Sequence, residues 1–218
     1  LIEIEGGDKH NAIPREAFAV LSIGSNYEDF EKIAVEQFSV LKEEYRSTEP
    51  GMDLSFERVS PISVAKNLDE DTTKNLIDLI QVLPNGVMAY DRELESTVET
   101  STNLASVTLN NDKAKLVISS RSSQESKLEN LRRNRLGILG DRFGGQVQHN
   151  EAYPAWRPNR DTELLNRGKE VFRKLYGKSP GVEVVHGGLE TGVIGEKKTG
   201  IEMISIGPEG ESPHSPAE

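Results

Sequence analysis

VETSTNLASVTLNNDKAKLVI, residues 98–118, sets two apolar-rich runs, Val98 to Leu109 and Ala114 to Ile118, on either side of Asn110-Asn111-Asp112. Asn and Asp tolerate the backbone angles a tight reversal needs, so the stretch reads as a β-hairpin. Hairpin strands run antiparallel, which predicts a largely antiparallel sheet. Just upstream, Leu76, Ile77, Leu79, Ile80 and Leu83 recur at helical spacing, predicting a helix from Thr72 to Leu83 broken by Pro84-Asn85-Gly86. Just downstream, Ser126 to Phe143 reads as a helix ended by Gly144-Gly145, with Arg132, Arg133, Arg135 and Arg142 on a solvated side. Gln146 to Glu151 then reads as a returning strand.

Nearer the start, Leu1 to Glu5 alternates apolar and polar residues, turns at Gly6-Gly7-Asp8, and is followed by Ala17 to Ile23, a β-branched run expected to be mostly buried. Asn26 can cap a helix whose first turn carries Glu28 and Asp29. Tyr27, Phe30, Ala34, Phe38, Leu41 and Tyr45 form a stripe expected to pack on a sheet. After Pro50-Gly51, Leu54 to Val59 reads as a further strand. Strand, strand, helix, strand matches a split βαβ sandwich lacking its first strand and helix.

Beyond Tyr153-Pro154-Ala155-Trp156 the pattern changes. Thr162 to Tyr176 predicts a helix with Leu164, Leu165, Val171, Phe172 and Leu175 inward, stopped by Gly177 and Pro180. Val182 to Val185, a short stretch from Thr191, and Ile201 to Ile206 read as short buried strands of a parallel sheet. The expected fold class is therefore α/β. An α+β unit over residues 1–151 precedes the remnant of an α/β domain over 152–218, with the boundary at about 150–158. The chain opens and closes on what read as interior segments of a longer protein.

The net charge of −10 disfavours a phosphate-backbone partner, so nucleic acid is not expected. No apolar run reaches the roughly 20 residues needed to span a bilayer. With no cysteine present, thiolate metal sites and a cysteine nucleophile are excluded, leaving His and carboxylate ligands for any metal. The four His residues, His10, His149, His186 and His214, show no local zinc spacing. His214 lies in a proline-stiffened loop after a strand; it reads as a surface imidazole or as a metal ligand. Gly187-Gly188 after His186 reads as an ordinary turn or as backbone that admits a ligand closely. Asn11, ahead of Pro14, makes a turn or hydrogen-bonds a carbonyl. Arg121, at a strand end, is a solvated charge or a fork for a carboxylate.

Together these segments resemble the aminoacyl-histidine dipeptidases, members of the co-catalytic zinc peptidase superfamily. The resemblance is carried by Asn11-Ala12-Ile13-Pro14-Arg15-Glu16-Ala17-Phe18, Pro84-Asn85-Gly86-Val87, Val98-Glu99-Thr100-Ser101 with Asn103-Leu104, and Ala152-Tyr153-Pro154-Ala155-Trp156. It continues through His186-Gly187-Gly188-Leu189-Glu190, Met203-Ile204-Ser205-Ile206-Gly207-Pro208 and Pro213-His214-Ser215-Pro216. The resemblance implies a lid domain over residues 1–151 and the C-terminal part of a catalytic domain over 152–218. It implies one zinc ligand, His214, in a two-zinc site whose other ligands and general base precede Leu1. It implies that Asn11, Arg121 and Gly188 approach the substrate. It further implies a cytoplasmic dipeptidase of Xaa-His type, inactive as this chain alone, with a homodimer compatible with an exposed sheet edge. Thr191 stands where the family often has Cys, and Ala217 where it has Asp. A deacylase of the same superfamily and a non-catalytic association module are the competing readings.

Overall fold

The structure is a computed structural model, and it describes residues 1–24, 26–59, 67–92, 97–110, 113–151, 154, 159, 161–184, 190–198 and 200–207. Its sheet is built from β1 (Glu3–Gly6), β2 (Ala17–Val20), β3 (Gly86–Tyr90), β4 (Val98–Asn110) and β5 (Lys113–Ser122). Every pairing among them is antiparallel, as the hairpin predicted. β4 is the axis. β5 runs along one of its edges from Thr100↔Ser122 to Asn110↔Lys113. β3 and β1 share the other edge, β3 at Val98–Thr102 and β1 at Val107–Thr108, and β2 extends the sheet beyond β1.

One face of this sheet is covered. Leu104, Leu116 and Ile118 pack with Leu79 and Leu83 from the end of α2 (Glu70–Val82), Met88 of β3, and Leu131, Leu136 and Leu139 from the helical segment after β5. Along β4 the covered positions are Thr100, Thr102 and Leu104, then Val107 and Leu109, a change from even to odd numbers. Side chains alternate strictly along a strand, so this switch requires one extra residue. The β4–β5 register skips at that point, between Leu104 and Ser106, making Ala105 a bulge that is fully buried. Further along the same face, Thr100 pairs its hydroxyl with Ser122 and Thr102 with Ser120, each at 2.9 Å, which satisfies polar groups that the helices bury.

The helix expected from Ser126 to Phe143 is three pieces in line: α3 (Glu125–Glu129), a π-helical stretch Asn130–Gly137, and α4 (Ile138–Arg142). Leu131 and Leu136 explain the widening. Five residues apart, they would lie about 140° apart on a regular α-helix. The i→i+5 ladder brings them onto the same side, and both are buried in the core. The segment ends at Gly144, whose φ of 75° follows the expected glycine stop.

Several expectations need correcting. Ala17 to Ile23 is a strand only to Val20 and faces solvent, Phe18 being 68% exposed, because β2 is the outermost strand. Asn26 is the cap residue of α1 (Tyr27–Glu44), but its side chain makes no capping hydrogen bond. α1 buries no residue. Its stripe is half-covered as far as Phe38 and exposed at Leu41 and Tyr45. Leu54 to Val59 is not a strand, so the split βαβ pattern does not form. This segment lies along α1 instead, with Phe56 edge-on to Phe30 and Arg58 over the Tyr27 ring. β3 had no counterpart in the sequence reading. Gln146 to Glu151 is not a strand and pairs with none among the described residues. It folds back over the preceding helix, where Val147 occupies the space a side chain at Gly140 would need and the Asn150 carbonyl accepts from Arg132 at 2.6 Å. Arg132 is thus a tie, not part of a solvated face.

In the second part, α5 (Glu163–Tyr176) has the expected ends: Thr162 accepts from the Leu165 amide, and Gly177 takes the left-handed conformation at φ 67°. The stretch from Thr191 is helical, within α6 (Glu190–Lys197), not a strand. Residues 182–184 and 201–206 are not strands either, because among the described residues no neighbouring strand supplies a ladder; Val185 lies outside the described residues. Glu202 instead turns its carboxylate to the first turn of α5, accepting from Leu164 N at 2.8 Å.

Candidate functional site

The face of the β4–β5 ribbon turned away from that core carries Ser101 and Asn103 on β4, and opposite them Arg121 and Ser119 on β5, all half-buried. Arg121 is half-buried and lies inside β5, which runs past the strand end expected at Ile118 to Ser122. It is the penultimate residue of β5 and pairs with Ser101 of β4.

The Asn11 loop joins β1 to β2. Its base is closed by Gly7 N donating to Glu16 O at 3.3 Å, and a turn within it by Ala12 N donating to Lys9 O. Its floor is the Ala105 bulge. A Cβ on Gly7 would lie 2.0 Å from the Ala105 carbonyl oxygen, and Gly7 also has a φ of 69°, so both space and backbone demand glycine. Its roof is held by a long-range bond, Asn103 Nδ2 donating to the Ala12 carbonyl at 2.7 Å. Asn11 is half-buried beside that bond, and its own amide forms no hydrogen bond among the described residues.

The loop crosses β4 where neither β3 nor β1 pairs with it. In that gap the Leu104 amide is taken by the Asn85 side-chain oxygen at 2.8 Å. Pro84-Asn85-Gly86 therefore does more than break α2: Asn85 supplies the acceptor a missing strand would give. The loop bearing Asn11 is thus tied through Ala12 to the ribbon that carries Arg121, with the Asn103/Ser119 and Ser101/Arg121 pairs one repeat, roughly 7 Å, apart. Gly188 and His214 lie outside the described residues, as does His186.

Among the described residues no three His, Asp or Glu side chains form a group that could hold a metal. Two carboxylates are held below their ordinary range, both by structural partners. For Asp69 the main cause is the hydrogen bond from the Thr72 amide at the start of α2, and for Glu129 it is the bond from Arg133. Sequence reasoning singled out Asn11 and Arg121, read Gly7 as part of a turn and Asn85 as part of a helix break, and gave Asn103 no structural role. An Asn inside a β run, where it is disfavoured, was the signal for Asn103.

No family model matches the chain. Over 219 aligned residues, 100% of this chain, it is 31% identical to the cytosol non-specific dipeptidase of Escherichia coli (strain K12), of which it spans 44%. It also superposes on the crystal structure of aminoacylhistidine dipeptidase from Vibrio alginolyticus with a TM-score of 0.81 and 29% identity, over 90% of this chain and 40% of that one. The chain is homologous to these dipeptidases and spans less than half the length of either.

Proposed function

We propose that the chain is the substrate-reading part of a cytoplasmic zinc dipeptidase that cleaves Xaa-His and related dipeptides. The observation carrying this reading is the tie between the Asn11 loop and the ribbon that carries Arg121, within a chain homologous to dipeptidases throughout its length. Residues 1–151 are the lid and 152–218 a part of the catalytic domain, with Gly188 lining the pocket. His214 is the zinc ligand this chain contributes. The donors among its described residues do not amount to a zinc site. A zinc site needs three or four ligands, and in this reading those besides His214 precede Leu1.

The chain's own share of the reaction is reading and orienting. Arg121 takes the free C-terminal carboxylate of the dipeptide in a charge-assisted fork. A longer peptide has no carboxylate at that distance, so the fork selects dipeptides. The Asn11 amide donates to the scissile carbonyl oxygen, where negative charge grows in the transition state. Bound zinc supplies the activated water in this class of enzyme. A homodimer joined at the outer edge of β2 belongs to the same reading, supported by that strand's exposed apolar Phe18.

The test is hydrolysis by the full-length protein of a His-terminated dipeptide, the tripeptide extended by one residue, and an N-acetyl amino acid, with and without chelator. Chelator-sensitive cleavage of the dipeptide in preference to both others is expected. Preference for the N-acetyl amino acid would make it a deacylase, and no turnover of any of them would favour an association module.

A further inference from the structure

We infer that Asn103 is a positioning residue for Asn11, and that the β4 bulge exists in part to seat the loop that Asn103 holds. The inference rests on the dipeptidase reading above for its functional consequence, but its structural half does not. Three observations converge on one spot of β4. The register skip places Ala105 out of line, and its carbonyl meets the Cα of Gly7 so closely that no side chain fits there. Asn85 takes the Leu104 amide, which keeps this unpaired gap of the strand edge satisfied without a strand. Asn103, next along, reaches 91 positions back in the chain to the Ala12 carbonyl.

Few other bonds within the loop could do this work. Its internal bonds, Gly7 to Glu16 and Ala12 to Lys9, are both long at 3.3 Å and fix only its base and one turn. Ile13, just past the anchor, is 79% exposed, so burial does not hold the tip in place. The Asn103 amide is therefore the contact that sets the distance between Asn11 and the sheet face bearing Arg121. Asn suits the role because it offers a donor to a carbonyl from a side chain short enough to be rigid. Aspartate, of the same shape, would turn an oxygen on that carbonyl.

The experiment is a double-mutant cycle in the full-length protein, with Asn11→Ala, Asn103→Thr and the pair, assayed on a dipeptide. Thr is at home on a strand and keeps β4 intact while losing the reach. Asn103→Asp serves as a second variant, isosteric but with the donor removed. If Asn103 acts through Asn11, Asn103→Thr lowers kcat by about ten- to hundredfold, the range usual for outer partners that orient a working group. The pair then loses no more than Asn11→Ala alone. Amide exchange at Ala12, Ile13, Arg15 and Glu16 rises in both Asn103 variants while β4 and β5 keep their protection. Additive losses in the pair, or unchanged exchange in that loop, would overturn the inference. Should the native protein fail to cleave dipeptides, the dipeptidase reading falls, and the exchange arm still decides whether Asn103 holds the loop.

Discussion

Asn130–Gly137 and α5 make an instructive pair. The first, NLRRNRLG, is strongly polar and breaks α-helical geometry, yet it buries Leu131, Leu136 and Gly137. The second is cleanly amphipathic and has a side-chain cap at one end and a left-handed glycine at the other, yet it buries nothing, and Leu175 is 70% exposed. Amphipathic spacing says that a helix can bury a face; it does not say that a partner is there. The π-helical stretch lies under the β4–β5 sheet, whose Leu104, Leu116 and Ile118 form the other half of its core. α5 has the 202–204 segment beside it, where a Cβ added at Gly168 would lie 3.4 Å from Ile204 Cδ1.

This contrast can be sharpened by mutation. Leu131→Ala, at 4% exposure in the tightest part of the core, should cost about 3 kcal/mol in denaturant unfolding, whereas Leu175→Ala should change stability by less than about 0.5 kcal/mol. Equal effects would mean that α5 is covered in solution. Gly7→Ala comes next, at about 2 kcal/mol or more, since it combines a positive φ with a collision against the Ala105 carbonyl. Gly24→Ala, which meets nothing, is its control.

The smallest effects compare the helix starts. α2 is capped from within by Asp69, whereas α5 receives the distant Glu202 carboxylate in addition to Thr162. Glu202→Gln should cost about 0.5–1 kcal/mol through the lost charge at the N-terminus of α5, read as a shift in unfolding midpoint. Asp69 gives a pH signature. Its pKa is lowered on folding by the bond from the Thr72 amide, so its stabilisation is present above the ordinary value of 3.8 and lost as pH falls through the lowered one. Glu129 has the same sign through Arg133. Acid unfolding of Asp69→Asn should therefore be less steep below that value; an unchanged profile would remove Asp69 from the account.

What could be read from the sequence follows the same division. The β4–β5 hairpin, α2, α5 and its glycine stop were legible because periodicity and turn residues are local signals. The even-to-odd phase switch from Leu104 to Val107 marks the bulge only once the β4–β5 register is known. β3 was hidden because Val87-Met88-Ala89-Tyr90 is too short to show a period. Leu54 to Val59 and Ile201 to Ile206 have strand-like composition, but whether a run becomes a strand depends on a neighbour with a free edge, which composition does not encode. At the proposed site, Asn11 and Arg121 were singled out through their segments' likeness to a family. Asn103 escaped because its partner, the Ala12 carbonyl, is a backbone group 91 positions away.

The central claim is that Arg121 reads the free carboxylate of a dipeptide across the face of the β4–β5 ribbon turned away from the core. The most direct measurement is kcat/KM of the full-length protein and its Arg121→Ala variant on one dipeptide and on the same dipeptide amidated at its C-terminus. Loss of a charge-assisted fork predicts a fall of about a hundredfold or more for the acid. The amide, already lacking the carboxylate, should change little. Equal losses on both substrates would contradict the account and leave Arg121 a structural residue of β5.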